Sequence, residues 1–332
     1  MIRPSTRIVI ALALVALFMP AFQAAAQQEV PPAPEQQPSA QVPATPAPAA
    51  PVFQKPDPAN FTASSPSKEA VSAFLQTAWG YDDTRVWQVQ AIMKTPVDGV
   101  SKVLILVGDK TGKQKPGMLQ FFALPDGKHI IAGDEIVTFG EHPYAEYRAM
   151  AQQRADGPYR GSAMKDLEII EFADFQCPHC KDAQANMDKL AVDFPKARIV
   201  FQNYPLPQHP AAASAAAYGV CVAKLGGSDA FFTFAAAVFD GQDGLASADG
   251  ATLTLNSAVT KAGLDPAKVE TCSKSAESTA AVNASVKLAQ DLSINQTPTL
   301  VINGRQIPAN APYDTIKQIV QFQAKLDGVA AQ

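Results

Sequence analysis

Cys177 and Cys180 bracket Pro178 and His179 in the stretch FADFQCPHCK, and paired thiols at this spacing have four chemical uses. A zinc site needs about four ligands, usually as two close pairs. The other cysteines, Cys221 and Cys272, are isolated, and no His follows at ligand spacing, so no metal is expected. Covalent haem needs His directly after the second cysteine, and position 181 is Lys. A structural disulfide across two residues closes a very small loop and stabilises little, because the chain-entropy benefit grows with loop length. Dithiol exchange is the use that remains.

The local sequence supplies a physical reason for such reactivity. A mostly apolar strand, Leu167 to Phe172, runs into the motif, and Cys180, Ala183, Met187, Leu190 and Phe194 then recur at helical spacing. Cys177 is therefore expected at a helix N-terminus, where free N–H groups and the positive end of the helix dipole favour a thiolate. Pro178 suits an early helical position, and His179 adds a donor or a charge for thiolate stabilisation. Cys177 is thus predicted to be the low-pKa nucleophile and Cys180, on the buried helix face, the resolving thiol. The exchanging disulfide needs no cofactor beyond the two sulfurs.

The compartment decides whether disulfides persist. Arg3 and Arg7 flank the start of an apolar run, Ile8 to Phe18, and Ala24-Ala25-Ala26 offers small residues for cleavage. That order predicts a signal peptide over 1–26 and an exported, soluble mature chain. The run falls short of the roughly 20 residues that span a bilayer, and no later stretch is judged long enough. In an oxidising compartment Cys221 and Cys272 are expected to pair as a structural disulfide. Their loop of roughly 50 residues would contribute around 4 kcal/mol. The rival reading is a second redox pair, for which neither cysteine has an evident activating group. The net charge of −4 includes no basic run, so nucleic acid is not an expected partner.

Further elements must position the dithiol. Residues 27–58 are rich in Pro, Ala and Gln and read as a disordered linker. Residues 59–145 read as a small α+β domain, one helix against an antiparallel sheet. Ser67 precedes the amphipathic set Val71, Phe74 and Leu75. Strand-like runs Val86–Met93, Lys102–Val107, Met118–Leu124, His129–Ile131 and Glu135–Phe139 follow, separated by Gly-containing turns. A helical connector over 146–163 leads to a catalytic domain at 164–328, with an Ala-rich helical insertion at about 208–292. Thr299–Ile302, the turn Asn303-Gly304 and a final helix close the chain.

The stretch EFADFQCPHC resembles the active site of DsbA-type thiol–disulfide oxidoreductases, thioredoxin-fold enzymes of the bacterial periplasm. The resemblance spans about 160–328 and implies an α/β, thioredoxin-like domain with a helical insertion. It gives Glu171 a proton-relay role towards the buried cysteine; an ordinary strand carboxylate is the alternative. It makes Pro298, in Gln296-Thr297-Pro298-Thr299, a cis-proline facing the dithiol, with Thr297 holding an extended client by its backbone. His209, in Asn203-Tyr204-Pro205-Leu206…His209-Pro210, is read as a packing or capping residue near the site.

The segment Asp126 to Gly133 resembles part of the N-terminal dimerisation domain of the periplasmic isomerases DsbC and DsbG. Two readings of function follow from the resemblances. One is an oxidase or isomerase acting on unfolded or misbridged exported proteins, recycled by a membrane redox partner, with a homodimer formed through the N-terminal domain. The other is a chiefly non-catalytic periplasmic binding protein or chaperone.

Overall fold

The computed structural model describes residues 53–111 and 115–331, which lie in a compact unit spanning Ala47–Gln332. The expected signal peptide, and the expected linker apart from its last residues, lie outside the described residues.

Helix α1 (Lys68–Trp79) begins where the Ser67 hydroxyl accepts the Ala70 N–H, and it places Val71, Phe74 and Leu75 on one buried face. That face packs on an antiparallel meander of five strands in sequential order: β1 (Arg85–Lys94), β2 (Ser101–Asp109), β3 (Gly117–Ala123), β4 (His129–Ala132) and β5 (Glu135–Thr138). Val89, Ile92, Val103, Ile105, Phe121 and Ile130 complete this core. The helix-plus-sheet domain expected from the turn glycines is therefore present. Gly127 and Gly133 adopt φ of 68° and 66° at two of those turns.

Helix α2 (Ala145–Arg154) leads to a second five-stranded sheet in the order β10-β9-β7-β8-β6. Its strands are β6 (Tyr159–Gly161), β7 (Glu168–Ala173), β8 (Arg198–Asn203), β9 (Thr299–Ile302) and β10 (Arg305–Pro308). β7 and β8 run parallel, with α3 (Pro178–Asp193) between them, and β9 and β10 add antiparallel. Every residue of β7 and β8 is buried, as both faces of this sheet are covered. Met187 and Leu190 of α3 join Ile316 and Val320 of α8 (Tyr313–Leu326) in one cluster with Ile169 and Leu300; Ala151 of α2 joins Leu288 and Leu292 in another with Ile170 and Val301. This is a thioredoxin-like domain with a helical insertion.

The insertion comprises α4 (Ala212–Asp240), α5 (Ala248–Lys261), α6 (Pro266–Ser273) and α7 (Ala276–Asp291). By length and composition α4 could cross a membrane, which corrects the expectation that no later stretch would qualify. Gly227, at φ 77° and ψ −175°, breaks it into two helices. Phe231, Phe234 and Phe239 from its second half surround Phe175, two residues before Cys177. A disulfide joins Cys221 of α4 to Cys272 of α6.

The two sheets are tied together at one edge. Arg305 of β10 is 3% exposed and donates to the Thr77 and Ala78 carbonyls at the end of α1. At the neighbouring turn Gly304 has φ 90°, and a Cβ there would stand 2.3 Å from the Tyr144 carbonyl oxygen. Glycine is required for both reasons.

Candidate active site

Cys177 is the N-cap residue of α3, with φ −75° and ψ 121°, and Pro178 occupies the first helical position. A proline costs no hydrogen bond there, since that N–H has no partner within the helix. The Cys177 carbonyl accepts the N–H of Cys180 at 3.1 Å, closing the first turn. The turn is braced from outside as well. The Gln242 amide donates to the carbonyls of Phe175 and Cys177, each at 2.9 Å. Gln176 donates to the Leu245 carbonyl and accepts the Ala211 N–H. The helical insertion thus holds the segment that leads into the motif.

The environments of the two sulfurs differ. Cys177 is 5% exposed and Cys180 is fully buried. The hydrogen bond from Cys180 pulls the Cys177 thiol down to about 5, helped by Thr297 and the backbone N–H groups of Cys180 and His179, against burial. Burial pushes Cys180 far upwards, and its bond to Cys177 pushes it the same way. The Asp174 N–H donates to Cys180 Sγ at 3.4 Å. His179 is exposed, and its contribution to the Cys177 thiolate comes through its backbone N–H.

Thr297, which precedes Pro298, faces Cys177 from across the fold. The Thr297–Pro298 peptide bond is cis, and the Cys177 thiol donates to the Thr297 carbonyl at 3.7 Å. The Thr297 hydroxyl is buried and has no partner while Cys177 is a thiol. It is an uncommitted donor for the thiolate. Beside this segment, Gln296 and Thr299 help to line a cleft of about 520 Å³ between the free edges of β5 and β10, with Tyr144 and Tyr147.

Glu171 lies in the middle of β7, 2% exposed. Burial raises its carboxyl to about 7, while a hydrogen bond from Gln184 and the positive charge of Arg160 oppose the rise. Gln184 Nε2 donates to Glu171 Oε1 at 2.9 Å and to the Cys180 carbonyl at 3.0 Å. Cys221 and Cys272 are bonded to each other within the insertion, and Cys177 and Cys180 are both free thiols.

Sequence reasoning missed several supports of the site. The Asp174 carboxylate, wholly buried, accepts the N–H groups of Gln176 and Leu206 and His209 Nδ1–H at 2.7 Å. Its place inside the FADFQC stretch was the available signal. Gln242 stands 65 residues from Cys177 and carried no signal in the chain. The redox motif itself belongs to a continuous core with Phe175, Phe231, Phe234 and Val238.

The Thioredoxin family model matches residues 153–321. A thioredoxin-like oxidoreductase from Silicibacter pomeroyi is 24% identical, with 54% of this chain and 98% of that chain covered at a TM-score of 0.46. The catalytic domain of Proteus mirabilis ScsC is 19% identical, covering 55% and 99% at 0.47. Pseudomonas aeruginosa DsbA2 is 27% identical, covering 50% and 93% at 0.42. Among curated proteins, Na(+)/H(+) antiporter NhaA 3 of Salinispora tropica is 29% identical over 156 residues, 47% of this chain. This chain spans only 22% of that protein's length. The family match covers half of the chain and includes the sheet whose central strand runs into the dithiol, and the chain belongs to the thioredoxin family.

Proposed function

We propose that the protein is an exported, DsbA-type enzyme that introduces disulfides into unfolded secreted or periplasmic proteins. The observation that carries this reading is the opposed pair of sulfurs: Cys177 is held down to about 5, whereas Cys180 is pushed up. A thiolate that is stable in the reduced enzyme makes the disulfide form a strong oxidant.

In the oxidised enzyme a client thiolate attacks Cys177 Sγ. The Cys177–Cys180 bond breaks, Cys180 leaves as a thiolate, and a mixed disulfide joins Cys177 to the client. Glu171 supplies the proton that Cys180 takes up. A second client thiolate then attacks the client sulfur and expels Cys177, whose low pKa makes it a good leaving group. The client has lost two electrons, the enzyme has gained them, and a membrane redox partner removes them. Thr297 offers its backbone to an extended client like an added strand, and the cleft beyond Gln296 gives the segment room to continue.

An isomerase reading is favoured by one observation, the helix-plus-sheet domain docked against the thioredoxin-like domain through Arg305. In that role reduced Cys177 attacks a misplaced client disulfide, and a homodimer through the N-terminal domain presents two dithiols to one client.

The deciding experiment mixes the oxidised protein with a reduced, unfolded client. Stoichiometric disulfide transfer is expected, and none from Cys177→Ser. Transfer by the variant would show that the exchange does not run through Cys177, and no transfer from the wild type would leave a binding protein as the better description. The redox state of the dithiol in cells separates the two catalytic roles: oxidised for the donor, reduced for the isomerase.

A further inference from the structure

We propose that Gln184 is the positioning residue of the resolving step: its single amide couples the Glu171 carboxylate to the turn that carries Cys180. The inference rests on the proton-relay reading of Glu171. A glutamine amide has two N–H donors, and here one goes to Glu171 Oε1 at 2.9 Å and the other to the Cys180 carbonyl at 3.0 Å. Both donors are therefore committed, and the half-buried side chain is fixed in one place. Gln184 lies one helical turn beyond Cys180, so the same helix that buries the thiol also aims the amide at β7.

The surroundings leave few other groups to perform this task. The residues opposite Glu171 on β8 and β9 are Phe201 and Leu300, both buried and apolar. The remaining charged or titratable groups facing Glu171 are Arg160 of β6, Asp188 of α3 and Cys180 itself. Arg160 and Asp188 are paired with each other at 2.9 Å, so their fields partly cancel. Gln184 is the side chain that hydrogen-bonds the carboxylate, and a donor there favours the charged form over the acid. That balance keeps Glu171 near 7, where a carboxyl both accepts and returns a proton at neutral pH.

In resolution of a mixed disulfide, Cys180 gives its proton to the Glu171 carboxylate, and the resulting thiolate attacks Cys177 Sγ. The bond between Cys177 and the client breaks, and the client leaves as a thiolate. The reverse sequence returns the proton to Cys180 during client oxidation. Without the Gln184 amide, less Glu171 is ionised at neutral pH, and the orientation of its carboxylate towards the Cys180 turn is lost.

The test uses the full chain with a glutathione mixed disulfide on Cys177 and follows glutathione release against pH. The rising limb of the wild-type profile is expected near 7. In Gln184→Met, which keeps the length of the side chain, its midpoint should move up by about one pH unit, with roughly tenfold slower release below it. Gln184→Lys, which replaces the amide with a cationic donor, should move the midpoint down. A merely structural role would not give shifts of opposite sign. Carbon NMR titration of the Glu171 carboxyl provides a second readout independent of turnover. Midpoints equal in wild type and both variants overturn the role of Gln184. If Glu171→Gln leaves the limb in place, the relay reading fails and this inference with it; if Glu171→Gln removes the limb and the Gln184 variants do not move it, this inference alone fails.

Discussion

The carbonyl oxygen of Thr297 accepts the thiol of Cys177 at 3.7 Å, although the two residues are 120 positions apart in the chain. The same residue keeps a buried hydroxyl without a partner. Once Cys177 ionises, the carbonyl no longer receives a hydrogen and the hydroxyl becomes the useful group. Removing it in Thr297→Val should raise the Cys177 midpoint from about 5 by roughly one unit. Ultraviolet absorbance of the thiolate, titrated on the reduced protein, reads this directly. An unchanged midpoint would mean that the backbone N–H groups and Cys180 suffice.

The same low pKa gives the reduced protein a pH-dependent advantage. Its folded-state value lies below that of an unfolded thiol, so the stabilisation is fully present only above the unfolded value. It is lost as pH falls through about 5. The Cys177 contribution should therefore separate the unfolding midpoints of reduced and oxidised protein most between neutral pH and the value of an unfolded thiol, above which buried Cys180 opposes it, and should vanish in acid. Parallel curves across that window would contradict a stabilised thiolate.

Glu171 has the opposite sign. Burial raises its carboxyl from 4.5 to about 7, so the fold prefers the protonated acid. Ionising it costs stability progressively as pH rises from the unfolded value to above 7, on the order of 3 kcal/mol in all. Glu171→Gln removes this penalty and should gain stability on wild type at about pH 8 but not at about pH 5. Denaturant unfolding at the two pH values checks it, and an equal difference at both would refute it.

The parts of this fold that were legible in the sequence are those with strong local contrast. Glycine turns separated the strands of the first sheet, and the three-to-four spacing from Cys180 to Phe194 marked the buried face of α3. Tyr159–Gly161 escaped notice because a three-residue edge strand has too little period to read. The insertion read only as a continuous helical stretch, since alanine is indifferent to burial and hides the faces of its helices. Its break at Gly227 needs a positive φ, which one glycine among many does not announce. His209 stood out beside Pro210, but its partner Asp174 is 35 residues away and becomes visible only once β7 and the loop after β8 are adjacent.

The Cys221–Cys272 disulfide spans 51 residues and lies among apolar side chains of α4, α5 and α6. Replacing both cysteines with serine should cost about 4 kcal/mol by the loop-entropy relation. Titration of Cys177 and stoichiometric transfer to a client should remain, because Cys221 and Cys272 are bonded to each other while Cys177 and Cys180 are free thiols. Loss of transfer in a variant that still unfolds cooperatively would instead make this disulfide part of the exchange chemistry.

Arg305 is the joint between the two sheets, and its contribution can be measured. Its guanidinium donates to Thr77 O at 2.5 Å, Ala78 O at 2.9 Å and Gln323 Oε1 at 3.0 Å, with the Tyr144 ring centre 4.4 Å away. A cation at the end of α1 meets both the unsatisfied carbonyls and the negative end of the helix dipole. Arg305→Met leaves those acceptors buried without donors and should cost about 3 kcal/mol. Lysine should restore only part of this, since one ammonium cannot reproduce the planar fork. The loss should appear first as faster amide hydrogen exchange in the last turn of α1, before exchange rises in β7 and β8. Uniform acceleration throughout both sheets would show that the domains unfold as one unit and that Arg305 is not their joint.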